Sequence, residues 1–160
     1  MLQISLAAEK IGSVLGFPIT NSLLATWLTM AVLFVFSLAA TRKMSLVPGG
    51  IQSMSELVVG GLYDFFSTVT GPYIKKFFPL VASLFIFIMT ANWMGLLPGF
   101  GTIGFYHGAE GFVPLLRAAT ADLNMTIGLA IVAFLAIQYY GFSVVGFHYS
   151  TRFLNFKDPI

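Results

Sequence analysis

The residues able to do chemistry in this chain are few and sit in apolar surroundings. Asn92 lies within a hydrophobic run, and Arg117, Asp122, Asn124 and Thr126 lead into another. Gln138 stands 14 residues beyond Asn124 in the same run. An amide or carboxylate in hydrocarbon costs free energy unless it is hydrogen-bonded, so these groups must face protein or water rather than lipid. Two chemistries suit them: hydrogen bonds between helices, and a water-lined path. At ~100° per residue, Asn124 and Gln138 return to within ~40° of one helix face. Gly128, Ala130, Ala133, Ala136 and Gly141 are small and permit close helix packing nearby. From the residues alone, interhelical bonding is the favoured reading and a water path the alternative. Asp122 has another use, because a carboxylate at a helix start meets unpaired N–H groups and a favourable dipole. Arg117, five residues earlier, can pair with a carboxylate or with headgroups.

Catalytic signatures are missing. The sequence holds no phosphate-binding glycine loop, no HExxH, no GxSxG and no cysteine. His107 and Glu110 stand three residues apart and could share a proton or hold a metal, but a solvated loop pair is simpler. His148 reads as an interfacial residue. Asn124-Met125-Thr126 has the form of a glycosylation sequon, discounted here because it heads an apolar run. No catalytic residue, metal site or cofactor is expected.

The elements that position these groups follow from composition. The chain has 160 residues, 58% hydrophobic and 9% charged, with a mean hydropathy of +0.90. A soluble domain carries about a quarter charged residues. Eight Lys/Arg and six Asp/Glu cannot coat a soluble surface of this size, so the chain reads as an integral membrane protein. The same numbers exclude a disordered chain, a coiled coil and a disulfide-stapled scaffold. A net charge of +2 does not point to nucleic acid, because the basic residues fall in short clusters between apolar runs.

A membrane span needs ~20 apolar residues, and residues 21–41, 77–97 and 123–147 qualify. Arg42-Lys43 closes the first, and Lys75-Lys76 and Pro98-Gly99 bracket the second. Residues 51–69 differ. Ile51, Met54, Val58, Leu62, Phe65 and Val69 recur at steps of three and four, opposite Gln52, Ser53, Glu56, Tyr63, Asp64 and Ser67. That is one apolar stripe on a helix, suited to a membrane surface or a partner. A short fourth span is the competing reading. The first 16 residues lack a basic start, and Glu9-Lys10 interrupts them, so they read as an amphipathic or irregular lead-in or a frayed terminus. The expected fold is an all-α membrane protein with three transmembrane helices and one cytoplasmic-surface amphipathic helix, residues 1–160 forming a single unit. Lys10 and Arg117 fall on one side, and Arg42, Lys43, Lys75, Lys76, Arg152 and Lys157 on the other. The positive-inside rule then puts the N-terminus outside and the C-terminus inside.

Three separated motifs resemble one family. Pro114-Leu-Leu-Arg-Ala-Ala-Thr-Ala-Asp-Leu-Asn-Met-Thr126 is similar to the LRPPTADLNTT loop of subunit a of F-type ATP synthases, with Ala118 and Ala119 in place of two prolines. Asn92-Trp-Met-Gly-Leu-Leu-Pro98 is similar to the family's N-x-x-G/D-L-L-P turn. Arg42-Lys43, Val47-Pro48-Gly49, Gln52 and Glu56 resemble the end of its first helix and its surface helix. The match runs in order over roughly residues 20–145.

The resemblance implies a stationary channel subunit facing a ring of c subunits, with peripheral-stalk b subunits, the rest of the ATP synthase and the bilayer as partners. Nucleic acid is not among them. The lack of a transit-like basic start favours a bacterial plasma membrane, with a mitochondrial inner membrane as the alternative. Asn92 takes the place of a polar residue on the outer half-channel side. Arg117, Asp122 and Asn124 take vestibule positions, Gln138 is a candidate by its helix face alone, and Glu56 is a candidate stalk contact. The family's pore helices follow this region and carry an essential arginine. Arg42, Arg117 and Arg152 all lie outside the spans, so the pore arginine is expected to be absent from this chain, which resembles the N-terminal portion only. Such a portion is not expected to translocate protons by itself. A small three-span scaffold or assembly protein with no ion path is the competing hypothesis.

Overall fold

The computed structural model describes residues 8–107 and 111–150. Four helices dominate: α1 (Asn21–Thr41), α2 (Gly50–Thr70), α3 (Ile74–Gly95) and α4 (Leu123–Val145). Among the described residues, three helical stretches are long and apolar enough to cross a membrane: Asn21–Thr41, Gly50–Gly95 and Leu123–Tyr149. The middle stretch holds both α2 and α3. Gly71 breaks it with φ +56° and ψ −135°, a conformation glycine adopts without a Cβ clash. A 3₁₀ turn over Gly71–Tyr73 then starts α3. Helix α3 begins three residues before the expected span, taking in exposed Lys75 and Lys76. Hydropathy marks where lipid begins, whereas a helix continues past that level while its lysines reach water.

The chain divides into two units, Met1–Met125 and Thr126–Ile160. In the first, α1 is built inside out. Asn21, Ser22, Ala25, Thr26 and Thr29 form its buried side, while Trp27, Met30, Phe34 and Val35 are exposed. In lipid the outward side chains lose nothing by being apolar, and small residues on the inner side let backbones approach. Thr26 and Thr29 satisfy their own hydroxyls by donating to the Ser22 and Ala25 carbonyls, each at 2.8 Å. Ala25, Ala91 and Ala119, each 1% exposed, form the tightest part of the core. Near the Gly71 turn, α2 meets α3 through edge-to-face rings, Tyr63 with Phe78 at 5.0 Å and Phe66 with Phe85 at 6.3 Å. Most of the α2 apolar stripe (Ile51, Met54, Val58, Phe65 and Val69) remains exposed.

Two β-hairpins were not expected from the sequence. Strands β1 (Lys10–Val14) and β2 (Phe17–Thr20) pair antiparallel with a register shift between Lys10 and Gly12. Residues 1–7 lie outside the described residues, and from Lys10 onward the expected lead-in is a hairpin. Its apolar residues do not alternate strictly, which hid the strands; the tight turn carries the signal instead. Leu15 (φ +51°) and Gly16 (φ +86°) both occupy the left-handed region, as a two-residue hairpin turn with primed geometry requires. For leucine that conformation costs roughly 1–2 kcal/mol. Strands β3 (Gly104–His107) and β4 (Gly111–Pro114) form the second hairpin. Glu110 and the His107 side chain lie outside the described residues, as do Arg152 and Lys157.

In the second unit, α4 stops at Val145, where Gly146 turns to φ +67°, and a 3₁₀ turn follows over Gly146–Ser150. The turn brings the Tyr149 ring onto Gly141 and edge-to-face with Phe142 at 5.2 Å. A Cβ on Gly141 would lie 2.5 Å from that ring. Gly141→Val is therefore expected to expel Tyr149. The check is chymotryptic cleavage after Tyr149, followed by mass spectrometry, which should run severalfold faster than in the parent chain.

Candidate functional site

One junction gathers the polar groups of the first unit. It forms where the first turns of α1, the last turns of α3 and the segment from Pro114 to Asp122 meet. A 3₁₀ turn over Ala119–Ala121 folds that segment back. The approach is close because its residues are small: a Cβ on Gly95 would lie 2.6 Å from the Ala118 Cβ.

Asn92 is exposed at this end of α3. Its Nδ2 donates to the Ile88 carbonyl at 2.9 Å, and its Oδ1 accepts from the Thr120 hydroxyl at 2.7 Å. An amide and a hydroxyl thus stand side by side on an accessible surface. They have lone pairs to offer water and carry no fixed charge.

Asp122 is held differently. It is 6% exposed; its Oδ2 accepts from the Ser22 hydroxyl at 2.7 Å and its Oδ1 from the Asn124 N–H at 3.1 Å. The second bond places Asp122 at the head of α4 as a helix cap. The first bolts that head to α1. Asn21, fully buried, extends the network. Its Oδ1 accepts from the N–H groups of Ser22 (2.9 Å) and Glu9 (3.2 Å), and its Nδ2 donates to Glu9 Oε2 (3.3 Å) and the Pro114 carbonyl (3.4 Å). Among the described residues no buried side-chain polar atom lacks a partner. That completeness is what makes a buried polar network tolerable.

The sequence candidates separate on this geometry. Asn92 and Asp122 both belong to the junction, bridged by the turn that carries Thr120. Arg117 lies half-buried in the same segment. Asn124 takes part through its backbone N–H. Gln138 is half-buried on α4 in the second unit. Glu56 lies beyond the other end of α1, where its Oε1 accepts from Gln52 Nε2 at 2.7 Å. Gln52 also clasps the N–H and carbonyl of Ser45, at 3.2 and 3.0 Å. Sequence reasoning missed Asn21, Ser22 and Thr120. The recurrence of Asn21-Ser22, Thr26 and Thr29 on one helix face was the available signal for the first two.

Comparison with known proteins places the sequence in a family. Residues 23–159 match the family model described as ATP synthase A chain. A protein of Trichlorobacter lovleyi named ATP synthase subunit a is 37% identical over 135 residues, 84% of this chain and 52% of that protein. Namesakes in Geobacter sulfurreducens (35% over 130 residues, 81% and 50%) and Legionella pneumophila (36% over 135 residues, 84% and 52%) are similar. The chain spans about half the length of the curated relatives it matches. Residues 23–159 take in all but the first two residues of α1 and the whole of α3 and α4, and on that match the chain belongs to the ATP synthase A chain family.

Proposed function

We propose that this chain supplies part of the stationary proton channel of a rotary F-type ATP synthase, as a non-catalytic component that couples proton flow to rotation of a c-subunit ring and to ATP synthesis. The observation that carries the reading is the Asn92–Thr120 pair, an accessible amide and hydroxyl 2.7 Å apart at one end of the helices. In a half-channel, such groups order water without trapping charge. The ring carboxylate must be neutralised before it faces lipid. The membrane potential supplies ~2.3 kcal/mol per charge per 100 mV to drive the exchange.

Lysine and arginine placement supports an orientation with the N-terminus and the junction outside and the C-terminus inside. The bacterial relatives favour a bacterial plasma membrane. Helix α2 then lies toward the cytoplasm, where its exposed stripe and Glu56 suit peripheral-stalk b subunits. The scaffold reading would leave an accessible polar pair with no task, and family membership argues against it.

Asn92→Leu, introduced into the complete subunit, is expected to lower ATP-driven proton pumping in inverted vesicles while subunit abundance stays at the parent level. Thr120→Val should act in the same direction and more weakly, because Asn92 keeps its bond to Ile88. Unchanged pumping in Asn92→Leu vesicles at normal abundance would reject the role.

A further inference from the structure

We propose that the tip of the N-terminal hairpin, Val14-Leu15-Gly16-Phe17, docks into the lipid headgroup region beside α1 and anchors that end of the helix. Three apolar side chains crown the tip, with Val14 57%, Leu15 95% and Phe17 77% exposed. The turn needs two left-handed residues, and one of them is leucine at φ +51°, where asparagine or glycine would sit without strain. An apolar side chain held there, fully exposed, calls for a surrounding that rewards it.

Several observations select lipid as that surrounding. Strand β2 runs into α1 with no residue between them, Thr20 capping the helix by accepting from the Leu23 N–H at 3.3 Å. The hairpin base is tied to the same point, the Asn21 N–H donating to the Glu9 carbonyl at 3.1 Å. The hairpin therefore starts at the level where α1 enters the membrane. That level is marked independently: Trp93, 62% exposed, lies two residues before the end of α3 at the junction. Tryptophan favours the interface between hydrocarbon and water. Between Lys10 and Arg42 the sequence has no charge, so no ionic group separates the hairpin tip from the exposed apolar residues of α1. An exposed apolar tip on an uncharged stretch, tied to the start of a membrane-length helix, fits headgroups and upper acyl chains.

The chain contains no cysteine, so one introduced thiol gives a unique label. Leu15→Cys and, separately, Phe17→Cys would carry a nitroxide in the chain reconstituted into phosphatidylcholine–phosphatidylglycerol vesicles. Ser13→Cys and Lys10→Cys serve as references toward the hairpin base. Collision with oxygen, which concentrates in lipid, is expected to exceed collision with a water-soluble nickel complex at positions 15 and 17, with the ratio falling toward position 10. Phe17→Cys leaves the Leu15 turn untouched, so it reports even if the other variant perturbs the hairpin. Preferential collision with the nickel complex at both tip positions would place the tip in water and overturn the proposal. Low collision with both reagents would place it against protein and overturn it equally.

Discussion

Asp122→Ala is expected to lower the amount of this subunit found in membranes. The substitution removes a helix cap, which contributes about 0.5–2 kcal/mol, and a hydrogen bond to a charged group, which contributes about 1.5–3 kcal/mol. It also leaves the Ser22 hydroxyl, on a residue 2% exposed, without its carboxylate acceptor. The measurement is immunoblot abundance alongside proton pumping normalised to that abundance. Asp122→Asn separates geometry from charge. Asparagine keeps one oxygen to cap the Asn124 N–H and sets an amide NH2 against Ser22, whose hydroxyl then has to accept instead of donate. Its abundance should fall less than that of Asp122→Ala, because the cap is kept, and its pumping per subunit should stay near the parent value, because both carboxylate oxygens are occupied by structural donors. Reduced pumping at normal abundance would instead put the carboxylate in the proton path.

Ala91→Leu is the second change with a large expected effect. Ala25, Ala91 and Ala119 are each 1% exposed where α1, α3 and the 3₁₀ turn meet. An isobutyl group there has no space, and overpacking of this kind costs about 1–3 kcal/mol. The junction should open, separating Thr120 from Asn92 and Ser22 from Asp122. Thermal unfolding in detergent should occur at a lower temperature, and pumping in the complete subunit should fall with it. Ala31→Leu is the matched control. That alanine lies on the exposed face of α1, where a larger apolar side chain meets only lipid, and no change is expected. Equal destabilisation by both variants would show that the alanine core does not set the packing.

Much of this was legible in the residues, for particular reasons. Uncharged apolar runs have few alternatives in a membrane protein, so α1 coincides with its expected span, residue for residue. The stripe from Ile51 to Val69 marked α2 to within one residue at each end. The ends of α3 and α4 shifted because glycine conformation and lysine reach, rather than hydropathy, decide where a helix stops. The hairpins were hidden because their strands are only four or five residues long and lack clean alternation. At the site, Asn92 and Asp122 stood out as polar groups in apolar runs. Ser22 and Thr120 did not, because a lone hydroxyl is common in membrane helices and gains meaning only from what it faces. Periodicity placed Asn124 and Gln138 on one helix face, but no pattern in the sequence could say that Asn124 takes part through its backbone.

The bond between Ser22 and Asp122 joins residues 100 positions apart. At about 5–20 residues per second of synthesis, Ser22 leaves the ribosome some 5–20 s before its acceptor does. During that interval α1 has to be retained in the bilayer by its apolar outer face, with the Ser22 hydroxyl still waiting for Asp122 and the Asn21 amide for the Pro114 carbonyl. The head of α4 is the last piece of the junction to arrive. A chain whose later helices fail to insert therefore keeps the polar side of α1 uncovered.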